Sequence, residues 1–116
     1  MEDKNIEKTT RGNIFQNLTF AKEEVLSDIF DHSMFHVKQI NSEGQTTDVF
    51  DQTEDEWVLL LQGEAKIEFL DETNTKVQII EMKAGDWLFI PAHLKHRVYN
   101  AQTKNIWLCI YNKQKV

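Results

Sequence analysis

The sequence holds one cysteine, one proline and four glycines in 116 residues. A single cysteine, Cys109, excludes an internal disulfide and any metal site built from several thiolates. Long apolar runs are also missing. The longest strongly apolar stretch is Trp57 to Leu61, far short of the roughly 20 residues that cross a bilayer. The segment Met1 to Asn13 is polar and charged, without the apolar stretch of a secretory signal. Basic charge is scarce as well: 13 Lys and Arg stand against 19 Asp and Glu, a net charge of −6. The basic residues are scattered, with no stripe to follow a phosphate backbone, so nucleic acid is not an expected partner. Neither is a membrane. A cytoplasmic setting is the default expectation.

What remains is an ordinary soluble balance, 41% apolar and 28% charged, at a length that fits one domain. Residues 1–12 have no periodicity and many charges, and are expected to be a flexible tail; residues 13–116 are expected to fold. In 21–31, AKEEVLSDIFD, apolar residues fall at Val25, Leu26, Ile29 and Phe30. That spacing predicts a short helix with one apolar face, ending at His32, whose ring would favour the helix dipole.

From residue 34 onward the pattern turns to strands: 34–41, 46–50, 56–62, 64–71, 75–83, 86–90, 95–100 and 105–112. Turn formers punctuate them, among them Ser42-Glu43-Gly44, Gly63, Asp71 to Asn74, Ala84-Gly85-Asp86 and Pro91. Short strands at this spacing imply a sandwich or barrel. In 56–62, Val58 and Leu60 make one apolar face, and Trp57, Leu59 and Leu61 make another. Both faces must be covered. One is the barrel interior; the other needs the helix near residue 25 or a second subunit. A homodimer is therefore expected.

Two segments carry a resemblance to a known family. Gly44 is followed by QTTDV, Phe50-Asp51-Gln52, TED, Glu56, WVLLLQ and Gly63. Gly85 is followed by DWLFI, Pro91-Ala92-His93, LK, His96, RVY and Asn100. These spacings match the two paired motifs of the cupin superfamily, and residues 34–112 resemble a small, stand-alone cupin. The resemblance implies an all-β fold, a double-stranded β-helix or jelly-roll barrel, here with a short N-terminal helix. It also implies an internal cavity, in which metal-binding cupins use two His and a Glu from the first motif and a His from the second. At those places this chain has Phe50, Gln52, Glu56 and His96, and its His93 replaces a motif glycine.

The resemblance thus makes Glu56, His96, His93 and Gln52 the candidate ligands for a divalent ion (Zn, Fe, Ni or Mn), with Phe50 as a cavity wall. If His93 turns inward, Glu56, His93 and His96 form a set of two imidazoles and a carboxylate. Otherwise His93 is an exposed turn residue, and His96 hydrogen-bonds Glu56 with no metal. Without metal, His96 and Glu56 are the candidate catalytic base and orienter, with Tyr99 or Tyr111 as acids. His36 is expected at the surface or at the cavity mouth. Asp48, Asp51, Glu54 and Asp55 are expected to form a solvated loop, and Cys109 to sit in the core.

Three functions fit. One is a metal-dependent enzyme, of oxygenase or isomerase type, acting on a small polar molecule. Another is a non-catalytic module binding a small-molecule ligand, a sugar or an organic acid. The last is a degenerate cupin with a structural role in association.

Overall fold

The computed structural model describes residues 9–16, 18–21 and 23–113. Residues 1–8 of the expected tail and 114–116 of the expected domain lie outside the described residues.

The eight strands are β1 (Val25–Asp31), β2 (Phe35–Glu43), β3 (Asp55–Gln62), β4 (Glu64–Leu70), β5 (Lys76–Lys83), β6 (Trp87–Ile90), β7 (His96–Asn100) and β8 (Lys104–Asn112). They form a five-stranded sheet in the order β1-β2-β8-β3-β6 and a three-stranded sheet in the order β5-β4-β7. The fold is all-β, two antiparallel sheets closing face to face, as the turn spacing implies. The segment 46–50 joins the small sheet only through single bridges, Thr46 to Tyr99 and Phe50 to His96.

Alternation fixes which side chains enter the barrel. Register pairs Glu56 with Tyr111, Val58 with Cys109 and Leu60 with Trp107 on β3 and β8. It pairs His36 with Tyr111, Lys38 with Cys109 and Ile40 with Trp107 on β2 and β8. These residues share the inner face. Val58, Leu60, Ile67, Phe69, Ile90, Trp107 and Cys109 make the buried cluster. Each fully buried aliphatic side chain such as Leu60 or Ile67 contributes about 1.5–3 kcal/mol.

The expected helix over 21–31 is a strand instead. Val25–Asp31 pairs antiparallel with β2, with a bulge between Asp28 and Phe30. The bulge explains the misleading pattern. It inserts one residue, so the inward Leu26 and the outward Phe30 do not alternate in phase, and the sequence acquires helical spacing. The edge of β2 needs backbone partners, and that need outweighs the weak propensity of so short a helix. His32 accordingly caps no helix. It lies in the β1–β2 turn, where its Nδ1 accepts the Met34 N–H at 3.1 Å and its ring stacks on Phe35 at 5.0 Å.

The outer face of the large sheet is therefore not covered by a helix. Trp57 and Trp87 lie together there, ring centroids 6.1 Å apart. Trp87 and Phe89 are 63% and 51% exposed. Part of the same face is crossed by the N-terminal segment, to which Gln39 and Asn41 of β2 donate at the Ile14 and Thr19 carbonyls.

Candidate functional site

One end of the barrel is filled; the other is hollow. At the filled end the Asn105 side chain, fully buried, accepts from the Glu64 N–H at 3.0 Å and donates to the Glu64 carbonyl at 2.9 Å. Asn100 Oδ1 accepts from both Asn105 and Trp107 Nε1, at 3.0 and 3.1 Å. Gly63, at φ +100°, passes so close that a Cβ would lie 1.6 Å from Asn105 Oδ1.

At the hollow end is a cavity of about 340 Å³. Its deep wall is apolar, made by Val58, Ile67, Ile90, Val98 and Trp107. Around it stand Phe50, Gln52, Glu56 and His96 from the two motifs, so both motifs do converge on one space. Glu24, His36, Lys38, Glu54 and Tyr111 complete its polar lining. A wider hollow of about 730 Å³ lies against the small sheet. Its rim carries the solvated Lys66–Glu81 pair.

His96 is positioned by its backbone and by its ring. Its N–H and carbonyl exchange hydrogen bonds with those of Phe50 at 3.1 and 2.7 Å. Its ring lies between Phe50 and Phe69, at centroid distances of 5.5 and 6.4 Å. Nδ1 donates to the Leu94 carbonyl at 2.8 Å, so in the neutral ring Nε2 carries the lone pair. Nε2 faces the Glu56 carboxylate at 3.9 Å, too long for a direct hydrogen bond.

Both groups are buried. Burial pushes the Glu56 carboxyl above its ordinary range, against the opposing influence of Cys109, His96 and Tyr111. Glu24 is raised for the same reason and by the nearby charge of Glu56. Burial also raises the Cys109 thiol and the Tyr111 hydroxyl. Burial therefore shifts Glu56 toward its neutral form, opposite the Nε2 edge of His96.

Other expected residues fall differently. His93 does not reach the cavity. Its side chain is 66% exposed and pairs with Asp51 at 3.0 Å. Its backbone, at φ 65°, is left-handed, which explains the glycine the family pattern has there. His36, expected mainly at the surface, lines the cavity and is bound by Glu54 at 3.1 Å, its ring tilted on Tyr111 at 4.8 Å. The acidic run is not simply solvated: Glu54 holds His36, Asp51 holds His93, and Asp55 accepts the Ala92 N–H at 2.8 Å. Tyr111 is in the cavity; Tyr99 is outside it, beneath the Arg97 guanidinium at 5.3 Å.

Lys38 and Glu24 were not among the residues the sequence singled out. Strand alternation from Ile40 through Lys38 to His36 is the signal that finds Lys38.

A transition-metal site wants three or four strong donors on one point. Among the described residues, no group of three or more His, Cys, Asp or Glu side chains is arranged to hold a metal. Phe50 fills one ligand place with a phenyl ring and Gln52 offers only a neutral amide. The donor set does not fit a resident ion.

Comparison with known proteins agrees with this fold. The cupin domain family matches residues 39–111. No functionally curated protein matches the chain in sequence. A protein of Ralstonia eutropha, provisionally assigned as a mannose-6-phosphate isomerase, is 28% identical with a TM-score of 0.79, over 91% of this chain and 100% of that one. A cupin superfamily protein of Desulfitobacterium hafniense is 22% identical with a TM-score of 0.67, over 79% of each chain. An oxalate decarboxylase variant from Bacillus subtilis is 18% identical with a TM-score of 0.61; the match covers 69% of this chain but 21% of that one.

Proposed function

Given that this chain belongs to the cupin family, we propose that it binds a small molecule in the hollow end of its barrel, with Glu56 and His96 as the polar anchor. The observation that carries this reading is the pairing of a buried carboxyl and imidazole, 3.9 Å apart, at the polar end of a largely apolar cavity. A few convergent polar groups in an apolar concavity are the usual make-up of a ligand site. The ligand is a small molecule with one polar end. The Glu56 carboxyl and the His96 Nε2 are the two groups that exchange hydrogen bonds with that end.

The same pair suits proton transfer. His96 as base and Glu56 as acid or orienter, with Tyr111 beside them, would serve an isomerase-type reaction. The likeness to the Ralstonia protein favours that second reading. A metal-dependent reaction is not favoured, because Glu56, His96 and the neutral Gln52 amide are too few strong donors to hold an ion.

A nuclear magnetic resonance screen of small polar fragments tests the binding reading. Hits should shift the amides of Glu56, His96 and Tyr111, and Ile40→Trp, which fills the cavity, should abolish them. Hits that map elsewhere, or that survive Ile40→Trp, would overturn it.

The assembly we propose is a homodimer, formed through the outer face that carries Trp57, Trp87 and Phe89. Sedimentation equilibrium should give twice 13.7 kDa, and Trp87→Glu should give the monomer mass. A monomeric wild type at micromolar concentration would contradict it. A cytoplasmic setting suits the buried free thiol of Cys109.

A further inference from the structure

We infer that Lys38 is the anchor for a carboxylate, and that the cavity takes a small monocarboxylic acid with an apolar body. The inference rests on the binding reading above and names the ligand class. Strand β2 turns His36, Lys38 and Ile40 inward in alternation, and all three line the cavity. Lys38 is half-buried, and its Nζ stands over the Tyr111 ring, 5.9 Å from the centroid. Among the described residues its ammonium makes no ion pair and no hydrogen bond. That is so although Asp28 is its cross-strand neighbour on β1 and Glu24, Glu54 and Glu56 line the same cavity. Glu54 is engaged by His36. A lysine held in a concavity without an acceptor is a cation awaiting one.

The surroundings choose among anions. A phosphate dianion calls for several cations or a cradle of backbone N–H groups; this cavity has one lysine and three glutamates. One ammonium matches one carboxylate. A sugar needs hydrogen-bonding groups around its whole ring, whereas the deep wall here is Val58, Ile67, Ile90, Val98 and Trp107. That wall suits a hydrocarbon or aromatic body. The volume, about 340 Å³, is near the small end of the roughly 300–1,000 Å³ of ligand pockets.

Calorimetric titration with 3-phenylpropanoate, 3-phenylpropanamide and 3-phenylpropan-1-ol tests the inference on wild type, Lys38→Met, Lys38→Arg and Ile40→Trp. Wild type should bind the acid at least tenfold more tightly than the amide or the alcohol. Lys38→Met should erase that preference, with the acid losing far more affinity than the amide, and Lys38→Arg should retain it. If the amide binds wild type as tightly as the acid, or Lys38→Met keeps the preference, the role of Lys38 is overturned; loss of amide binding in Ile40→Trp would then still uphold the cavity reading. If none of the three compounds binds wild type, or Ile40→Trp binds them unchanged, both the carboxylate inference and the cavity reading fall.

Discussion

The two ends of this barrel are built from the same strands and obey opposite rules. At the filled end every polar group of Asn105 is matched: it touches Glu64, Thr103 and Asn100 through four hydrogen bonds, and Gly63 lets the backbone close over it. At the hollow end Glu56 and His96 face each other across 3.9 Å, and Lys38 has no acceptor among the described residues. Trp107 joins the two regions, bonding Asn100 with its indole N–H and giving its ring to the cavity wall. Satisfied polar networks hold a fold together; polar groups left short of partners in a concavity are free to meet a ligand. Stability and binding should therefore separate along the barrel axis.

The largest effect should come from breaking the filled end. Asn105→Ala strands the Glu64 N–H, leaves the Glu64 carbonyl to the Ala101 N–H alone and removes one donor from Asn100, and should cost about 3 kcal/mol in urea unfolding, with a buried orphan worth about 1–3 kcal/mol. A loss below that of a surface substitution would mean the network is not holding the end closed.

Two glycines sharpen the same contrast. Gly63 and Gly85 both have positive φ, +100° and +96°, but an added Cβ would strike Asn105 at the first and meet nothing within 4 Å at the second. Gly85→Ala should cost only the left-handed strain, about 1–2 kcal/mol. Gly63→Ala carries the same strain and must also displace a buried side chain, so its melting temperature should be clearly the lower of the two. Equal melting temperatures would place Gly63 away from Asn105.

The hollow end should respond to pH rather than to packing. Glu56 and Glu24 have native pKa values raised above the ordinary 4.5. Between the ordinary and raised values the native state holds more protons than the unfolded chain, so stability falls as pH rises through that window. Glu56→Gln removes its share and should flatten the slope while raising stability at neutral pH. A slope unchanged in the variant would show that the carboxyl is not desolvated.

The smallest change concerns the turn inside the second motif. His93→Gly relieves a left-handed histidine at the loss of one exposed pair with Asp51. It should stabilise by up to about 1 kcal/mol and leave cavity binding unchanged.

Seven of the eight strands expected from residue 34 onward were legible because turn residues and alternation agree there, and Gly63 and Gly85 sit where the punctuation places them; the expected strand 46–50 makes only isolated bridges. The convergence of Phe50, Gln52, Glu56 and His96 was legible only through family spacing, since the residues lie on different strands. Val25–Asp31 was not legible: the bulge after Asp28 shifts the alternation by one residue and imitates a helical face. Lys38 was missed because a lysine in an alternating strand reads as solvent-facing. Its alternation with His36 and Ile40, together with its register against Cys109, shows that it points inward. The placement of His93 could not be decided from its spacing to His96, because a left-handed backbone turns its side chain away from the cavity.

The central claim is that the motif positions enclose an organic ligand site and lack the donors for a resident metal. Calorimetric titration of Zn²⁺ into tag-free wild type and into Phe50→His/Gln52→His tests it most directly, with elemental analysis of both as purified. The account predicts metal well below stoichiometric in wild type, and Zn²⁺ binding at least tenfold tighter in the double variant, about 1.4 kcal/mol, because two imidazoles then join Glu56 and His96. Wild type that purifies with one equivalent of metal, lost in His96→Ala, would contradict it.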